Sequence, residues 1–174
     1  MRHCNPREMN TTALAYIGDA VYEIYVREHV LAASGQPGST PAQTGMPAQT
    51  GMPAAMQPQG AAAKGRTVFG AHVDALHKRA VRYVRADGQA KALRAMMRDG
   101  FLSEAEEALV RRARNHKSAS KPKNADAMDY KYATALEALI GYWYLCARAD
   151  ADEDNAARTR MEEIIFHAFA LIEK

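Results

Sequence analysis

The sequence predicts an all-α fold of about six helices, and two observations carry that prediction. Apolar residues recur at helical spacing in every long segment but one, as at Leu14, Ile17 and Val21. No segment shows the alternation of apolar and polar residues that is typical of a β-strand. Because 174 residues suit a single domain with a sizeable core, we expect one domain over residues 1–174.

The first predicted helix follows Asn10, whose side chain suits an N-cap, and ends near Ala32 or Ala33. Apolar residues lie on both of its sides, so we expect it to be buried all round. Asp19 lies in its middle. A buried carboxylate is costly unless a cation, a metal ion or hydrogen-bond donors meet it. A structural salt bridge and a functional site are both open for Asp19 at this point.

Residues 34–65 interrupt the helical pattern with a near-perfect repeat of Pro-Ala-Gln-Thr-Gly-Met. Residues 33–63 carry no charge at all. A segment rich in Pro, Gly, Ala and Gln cannot bury enough apolar surface to offset its ordering entropy. We therefore expect a disordered low-complexity loop that is inserted into the single domain.

Three further helices are predicted before residue 116. The first begins at Val68, and a turn near Asp87 and Gly88 separates it from a short helix over residues 89–98. Gly100 suits the C-cap of that helix. Ser103, followed three residues later by an acid, starts the third helix as a variant of the capping box.

A basic stretch without any acid follows, over residues 111–124. Residues 64–123 carry 15 Lys and Arg against 6 Asp and Glu, which favours a polyanionic partner. The stretch lacks aromatic side chains that could stack on single-stranded bases, which favours a duplex backbone. A mobile, solvated loop is the alternative. The candidate RNA-binding residues are Arg112, Arg114, Asn115, Lys117, Lys121, Lys123 and Asn124.

The fifth predicted helix opens at about residues 126–129 and holds a single charge, Glu137, between residues 133 and 147. Gly141, one turn further on, suggests that another backbone or a ligand comes close. One divalent cation between Asp19 and Glu137 would solve the solvation problem of both carboxylates. Oxygen ligands of this kind suit Mg²⁺ or Mn²⁺ rather than Zn²⁺. A last amphipathic helix is predicted to start at residues 152–154.

Three motifs in this order also carry a family resemblance. Residues 15–20, Ala-Tyr-Ile-Gly-Asp-Ala, resemble the signature of the ribonuclease III fold, and residues 136–141 resemble its second motif. Ala15 and Thr134 stand where that family has further acidic residues. The match is closer to the mini-ribonuclease III branch, which carries Ala and Thr there and lacks a double-stranded-RNA-binding domain. Residues 112–118, 122–124 and 130–132 resemble that branch too.

The resemblance implies a homodimeric, Mg²⁺-dependent endoribonuclease that cleaves double-stranded RNA. It also implies a role in maturing the large-subunit (23S) ribosomal RNA precursor, with a ribosomal protein on that precursor as a further partner. Asp19 and Glu137 would then be catalytic metal ligands. Glu23 is a weaker candidate, for which a solvated salt bridge is the alternative. The rival interpretation is a non-catalytic protein that keeps the fold and binds duplex RNA or assists ribosome assembly.

Other features of the sequence indicate the cellular compartment of the protein. No run of 18 or more apolar residues exists, so no membrane span is expected. The first residues lack the apolar core of a secretory signal. Cys4 and Cys146 are the only cysteines, and their contexts do not suggest a disulfide. We expect a cytoplasmic protein.

Overall fold

The structure is a computed structural model that describes residues 5–34, 68–116, 126–149 and 156–174. Within these ranges a 3-10 turn at Pro6–Glu8 precedes six α-helices, and no residue lies in a strand. The all-α prediction is confirmed. The predicted repeat loop lies outside the described residues, apart from Ser34. The helices are α1 Thr11–Ala32, α2 Val68–Val84, α3 Ala86–Arg98, α4 Glu104–Arg114, α5 Ala127–Ala149 and α6 Ala156–Glu173.

Helix α5 is the centre of the fold, since it packs against α1, α3, α4 and α6. Its side chains Leu136, Leu139 and Ile140 are completely buried. Such a helix needs apolar residues on most of its circumference, which the run over residues 133–147 provides. Burial of each large apolar side chain contributes about 1.5–3 kcal/mol, so these three side chains contribute several kcal/mol to the stability of the domain.

Helices α1 and α5 cross with their backbones in direct contact. A Cβ atom on Gly18 would overlap the carbonyl group of Glu137, and one on Gly141 would overlap the carbonyl group of Leu14. The predicted close approach at Gly141 is therefore confirmed, and the approaching group is the backbone of α1. The crossing fixes the chain on either side of Gly18, so it also fixes where Asp19 lies relative to α5.

The predicted helix ends agree with the observed caps. The side chain of Asn10 accepts a hydrogen bond from the amide of Thr12 at 2.9 Å. Gly100 adopts φ 67°, the left-handed conformation that closes a helix. Ser103 and Glu106 form a complete capping box at the start of α4.

Two expectations from the sequence are wrong. Helix α3 begins at Ala86, so Asp87 and Gly88 lie in its first turn and not in a separating turn. Asp87 stabilises that turn instead, because an acidic side chain near a helix N-terminus interacts favourably with the helix dipole. Helix α1 is not buried all round, since Tyr16 is 83% exposed and Ile24 is 55% exposed. No described residue covers that side of α1. The predicted start of the last helix at residues 152–154 lies outside the described residues.

A buried ion pair joins α4, α5 and α6. Glu106 is only 3% exposed and accepts hydrogen bonds from both Nε and Nη2 of Arg160 at 2.9 Å. The indole Nε1 of Trp143 and the backbone amide of Ser103 also donate to Glu106, at 2.9 Å and 2.8 Å. Burial alone would raise the pKa of Glu106, but the hydrogen bonds from Arg160 and Ser103 hold it below its usual value.

Glu106→Ala is expected to reduce the free energy of unfolding by about 3–5 kcal/mol, because it leaves Arg160 without its buried partner. Urea denaturation measures this loss. Glu163→Ala is the control, since it removes the exposed pair with Arg160 and should cost less than about 1 kcal/mol. The pKa of Glu106 is lowered by folding, so the stabilisation is present above its ordinary pKa of 4.5 and is lost as the pH falls below it. Equal losses in the two variants would contradict this role of Glu106.

Candidate functional site

Asp19 and Glu137 lie beside each other where α1 crosses α5. Asp19 follows Gly18, and the backbone of Glu137 is the group that Gly18 contacts. Burial raises the pKa of Glu137 to about 8, and the charge of Asp19 adds to this effect. The pKa of Asp19 is raised as well, first by partial burial and then by the charge of Glu23. The charge of Asp19 therefore adds to the cost of ionising Glu137, and the charge of Glu23 adds to the cost of ionising Asp19.

No cation among the described residues pairs with these carboxylates. Within the ranges that the structure describes, neither Asp19 nor Glu137 forms a salt bridge with Lys, Arg or His. The alternative of a structural salt bridge at Asp19 therefore has no support in the described residues. Asp19 is also exposed and not enclosed, which opens it to a ligand from solvent.

Gln89 is a third residue at this site, and it was not predicted from the sequence. Its side chain is 2% exposed and hydrogen-bonds to Glu137, and this bond lowers the pKa of that carboxyl. Gln89 lies four and seven residues before Leu93 and Met96, which are completely buried. That spacing places all three on the inner face of α3. The signal in the sequence was a polar residue in line with an apolar stripe.

Glu23 occupies the next turn of α1 after Asp19, but it already has a partner. Its Oε1 accepts a hydrogen bond from Nη2 of Arg27 at 2.8 Å, and both side chains are half exposed or more. This is the solvated salt bridge that was the alternative for Glu23. Its charge still raises the pKa of Asp19, so Glu23 lies within electrostatic reach of the pair.

The residues present fit a hydrated divalent cation with few protein ligands. Two carboxylates that are costly to ionise, and that form no salt bridge with a described Lys, Arg or His, are a suitable binding site for Mg²⁺. Mg²⁺ keeps several water ligands and often binds one or two carboxylates together with substrate phosphates. The described residues contain no cluster of three or more His, Cys, Asp and Glu side chains placed to hold a metal. Ala15, which is buried, and Thr134 offer no carboxylate here.

Comparisons with known proteins place this chain in a family. A family model described as "Ribonuclease III domain" matches residues 66–148. The mini-ribonuclease 3 of Brevibacillus brevis is 35% identical, over 97% of this chain and 92% of its own length. The mini-ribonuclease 3 of Symbiobacterium thermophilum is 33% identical, over 100% of this chain and 98% of its own length. The chain belongs to the mini-ribonuclease 3 family.

Members of the mini-ribonuclease 3 family are ribonuclease III-type endoribonucleases, and this chain is one of them. A crystal structure of a Fusobacterium nucleatum protein shares the fold, with a TM-score of 0.59 and 24% identity over 94% of each chain. No helix in the described part of the chain is long and apolar enough to cross a membrane.

The structure describes only some of the predicted RNA-binding residues of this chain. Arg112 and Asn115 are exposed at the end of α4. Arg114 is partly buried, and its Nη1 donates to the hydroxyl of Tyr132 at 2.9 Å. The guanidinium of Arg94 lies over the same ring, 4.3 Å from its centroid. The remaining predicted RNA-binding residues, Lys117, Lys121, Lys123 and Asn124, lie outside the described residues.

Tyr132 thus contacts two arginines, Arg114 near the start of the basic stretch and Arg94 on α3. Arg94 also forms a salt bridge with Asp129 at 2.8 Å, which fixes it further. The sequence did not single out Arg94, because its contact with Tyr132 joins α3 to α5 and has no local signal. An aromatic ring attracts a guanidinium that lies over its face, which favours this position of the arginine.

Proposed function

We propose that this endoribonuclease cleaves double-stranded RNA in a Mg²⁺-dependent reaction, with Asp19 and Glu137 as the metal ligands. One observation carries the proposal: at the α1–α5 crossing the charge of Asp19 acts on the buried carboxyl of Glu137, and neither group pairs with a cation among the described residues. Such a pair is unfavourable by itself and becomes favourable when a divalent cation binds. Mn²⁺ is the expected substitute, because it accepts the same oxygen ligands.

The protein's own residues divide the work at this site. When bound, the cation would polarise the scissile phosphate, provide hydroxide from water and stabilise the leaving 3′ oxygen. Asp19 and Glu137 would hold it at the helix crossing, whose contact between two backbones limits movement. We assign Glu23 the secondary role of orienting the attacking water, in competition with its salt bridge to Arg27.

The basic stretch supports a duplex as the substrate. Arg112, Arg114 and Asn115 supply guanidinium and amide donors at the end of α4, and Lys117, Lys121, Lys123 and Asn124 extend the stretch along the chain. Phosphate oxygens are the acceptors that such donors fit. On the family resemblance alone, we propose the 23S ribosomal RNA precursor as the physiological duplex, with a bound ribosomal protein as a further partner.

A homodimer in the cytoplasm completes the proposal. Tyr16, Ile24 and Leu31 expose apolar surface along one side of α1, and no described residue covers it. A second copy of the chain would bury this surface. Asp19 lies on the same helix, three residues after Tyr16 and therefore beside it on the helix surface. Each active site would then lie beside the dimer interface. Cys146 forms no disulfide with any described residue, in keeping with a reducing compartment.

Replacing Lys117, Lys121 and Lys123 together with Ala should weaken the binding of duplex RNA and flatten its dependence on salt. Each lost phosphate contact lowers the slope of log K against log salt by roughly one unit. Fluorescence anisotropy over a salt series, with Ca²⁺ in place of Mg²⁺, measures the slope without cleavage.

A control with the same change in net charge replaces Lys78, Lys91 and Lys174. These residues lie on α2, on α3 and directly after α6, outside the basic stretch in the sequence. The control should change the slope less than the triple variant in the stretch does. An equal slope in both variants would mean that the stretch makes no specific contact with the RNA backbone.

The substrate class is tested by comparing one RNA sequence as a duplex and as a single strand. The proposal predicts cleavage of the duplex in Mg²⁺ and little cleavage of the single strand. Preferred cleavage of the single strand would overturn it. Sequencing the RNA ends that accumulate when the protein is depleted tests the physiological substrate, and ends outside 23S ribosomal RNA would exclude that choice.

A further inference from the structure

Gln89 is a buried polar residue whose role the two carboxylates alone do not explain. It lies on the inner face of α3, where α3 packs against α5. Its neighbours on that face, Leu93 and Met96, are completely buried. A buried amide is costly without a hydrogen-bond partner, and its partner in this structure is Glu137. An apolar residue would pack here at lower cost, so the amide calls for a functional reason.

Gln89 is the one side-chain hydrogen-bond donor to Glu137 among the described residues. Tyr22 is another polar side chain near Glu137, since the charge of Glu137 raises the pKa of Tyr22, and it is also buried. Its hydroxyl, however, donates to the backbone carbonyl of Tyr83 at 3.2 Å. The orientation of the Glu137 carboxylate therefore depends on the amide of Gln89.

We infer that Gln89 is a positioning residue, which holds the carboxylate of Glu137 in the orientation that a divalent cation needs. This inference rests on the proposed function. A Glu side chain has three rotatable torsions, and no described side chain of α5 donates a hydrogen bond that would fix them. One amide hydrogen bond fixes the group and leaves lone pairs of the carboxylate for a cation.

The neutrality of the donor supports this assignment. A Lys or Arg at position 89 would also bond Glu137, but it would neutralise the charge that attracts the metal. An amide orients the carboxylate without cancelling its charge. Partners that orient metal ligands in this way commonly affect metal affinity or activity by about 10–100-fold when they are changed.

The test compares Gln89→Met with Met96→Ala. Gln89→Met keeps an unbranched side chain of similar length and removes the donor. Met96→Ala removes buried volume about 10 Å further along α3, so it destabilises the same helix without touching Glu137. Gln89→Met should lower kcat about 10–100-fold, leave KM for the duplex unchanged and raise the Mg²⁺ concentration needed for half-maximal rate. Met96→Ala should lower the melting temperature and leave all three kinetic quantities unchanged when assayed well below it.

Two measurements do not depend on turnover. Calorimetric titration of Mn²⁺ without RNA should show weaker binding to Gln89→Met than to the wild type, by about the same factor. In the wild-type protein, the side-chain amide resonance of Gln89 should shift when Mg²⁺ is added. Because this resonance is measured in the wild-type protein, it tests the inference even if Gln89→Met does not fold.

The outcomes separate this inference from the proposed function. A wild-type protein that binds Mn²⁺ at neither carboxylate and cleaves no duplex would overturn the proposed function itself. Normal wild-type cleavage with unchanged metal affinity and kcat in Gln89→Met would overturn only the role of Gln89. A Gln89 resonance that stays in place during the Mg²⁺ titration would do the same.

Discussion

Asp19→Asn and Glu137→Gln are each expected to abolish cleavage while the fold and duplex binding remain. Each variant keeps the shape of the side chain and removes a charge that holds the cation. The loss should exceed the about hundredfold effect expected for a residue that only orients a metal ligand. Single-turnover cleavage of a duplex RNA measures it, with duplex binding in Ca²⁺ as the parallel measurement.

The stability of the metal-free protein gives an independent check on the same variants. Burial and the charge of Asp19 raise the pKa of Glu137 to about 8, so the ionised carboxylate destabilises the folded state. Glu137→Gln removes that cost, and its melting temperature without metal should equal or exceed that of the wild type. Asp99→Asn, at an exposed position beside Arg98, is the control for a changed carboxylate and should leave cleavage intact. Near-normal Mg²⁺-dependent turnover in either site variant would refute the assignment.

Gly18→Ala and Gly141→Ala are expected to cause the largest losses of stability among substitutions of one small residue. The added methyl group would overlap a backbone carbonyl of the facing helix, and no rotation of a side chain can relieve that overlap. The helices must move apart, which unpacks the core between α1 and α5 at a cost of about 1–3 kcal/mol or more. Because Ala favours a helix over Gly by about 1 kcal/mol, the measured loss is a lower limit for the clash. Urea denaturation measures the net change.

The same substitutions should reduce cleavage in the protein that remains folded, since they displace Asp19 from Glu137. Gly88→Ala is the matched control, because Gly88 is also helical and its added Cβ would lie 3.1 Å from the nearest atom, the carbonyl oxygen of Arg82. Its stability should change by no more than about 1 kcal/mol. A Gly18→Ala protein as stable and active as the wild type would mean that the crossing has room that the geometry excludes.

Much of the fold could be predicted because its signals are local. Periodic apolar residues predict the helices, and the caps at Asn10 and Ser103 are determined by side chains within three residues. Gly141 indicated the close approach of another backbone or a ligand, because glycine weakens a helix but leaves room for such a neighbour. The prediction of a separating turn at Asp87 and Gly88 was wrong, because an acidic residue and a glycine suit such a turn and also fit the first turn of a helix.

The remaining features depend on contacts that no local pattern encodes. Asp19 and Glu137 were singled out from separate helices, and the charge of Asp19 raises the pKa of Glu137 in the structure. Their role as metal ligands remains a proposal. Gln89 was missed because its partner lies on another helix and a polar residue near a helix start usually faces solvent. Helix α1 was expected to be buried all round because an apolar residue alone does not show whether its own chain covers it.

The most direct measurement is single-turnover cleavage of a uniform duplex RNA by the wild-type protein over a series of Mg²⁺ concentrations, starting from full chelation by EDTA. No cleavage should occur with EDTA. The rate should rise with Mg²⁺ to a plateau, and Mn²⁺ should restore it after chelation. Cleavage that continues undiminished in EDTA would contradict a metal-dependent site at Asp19 and Glu137. Duplex binding without cleavage at any Mg²⁺ concentration would contradict the proposed reaction as well.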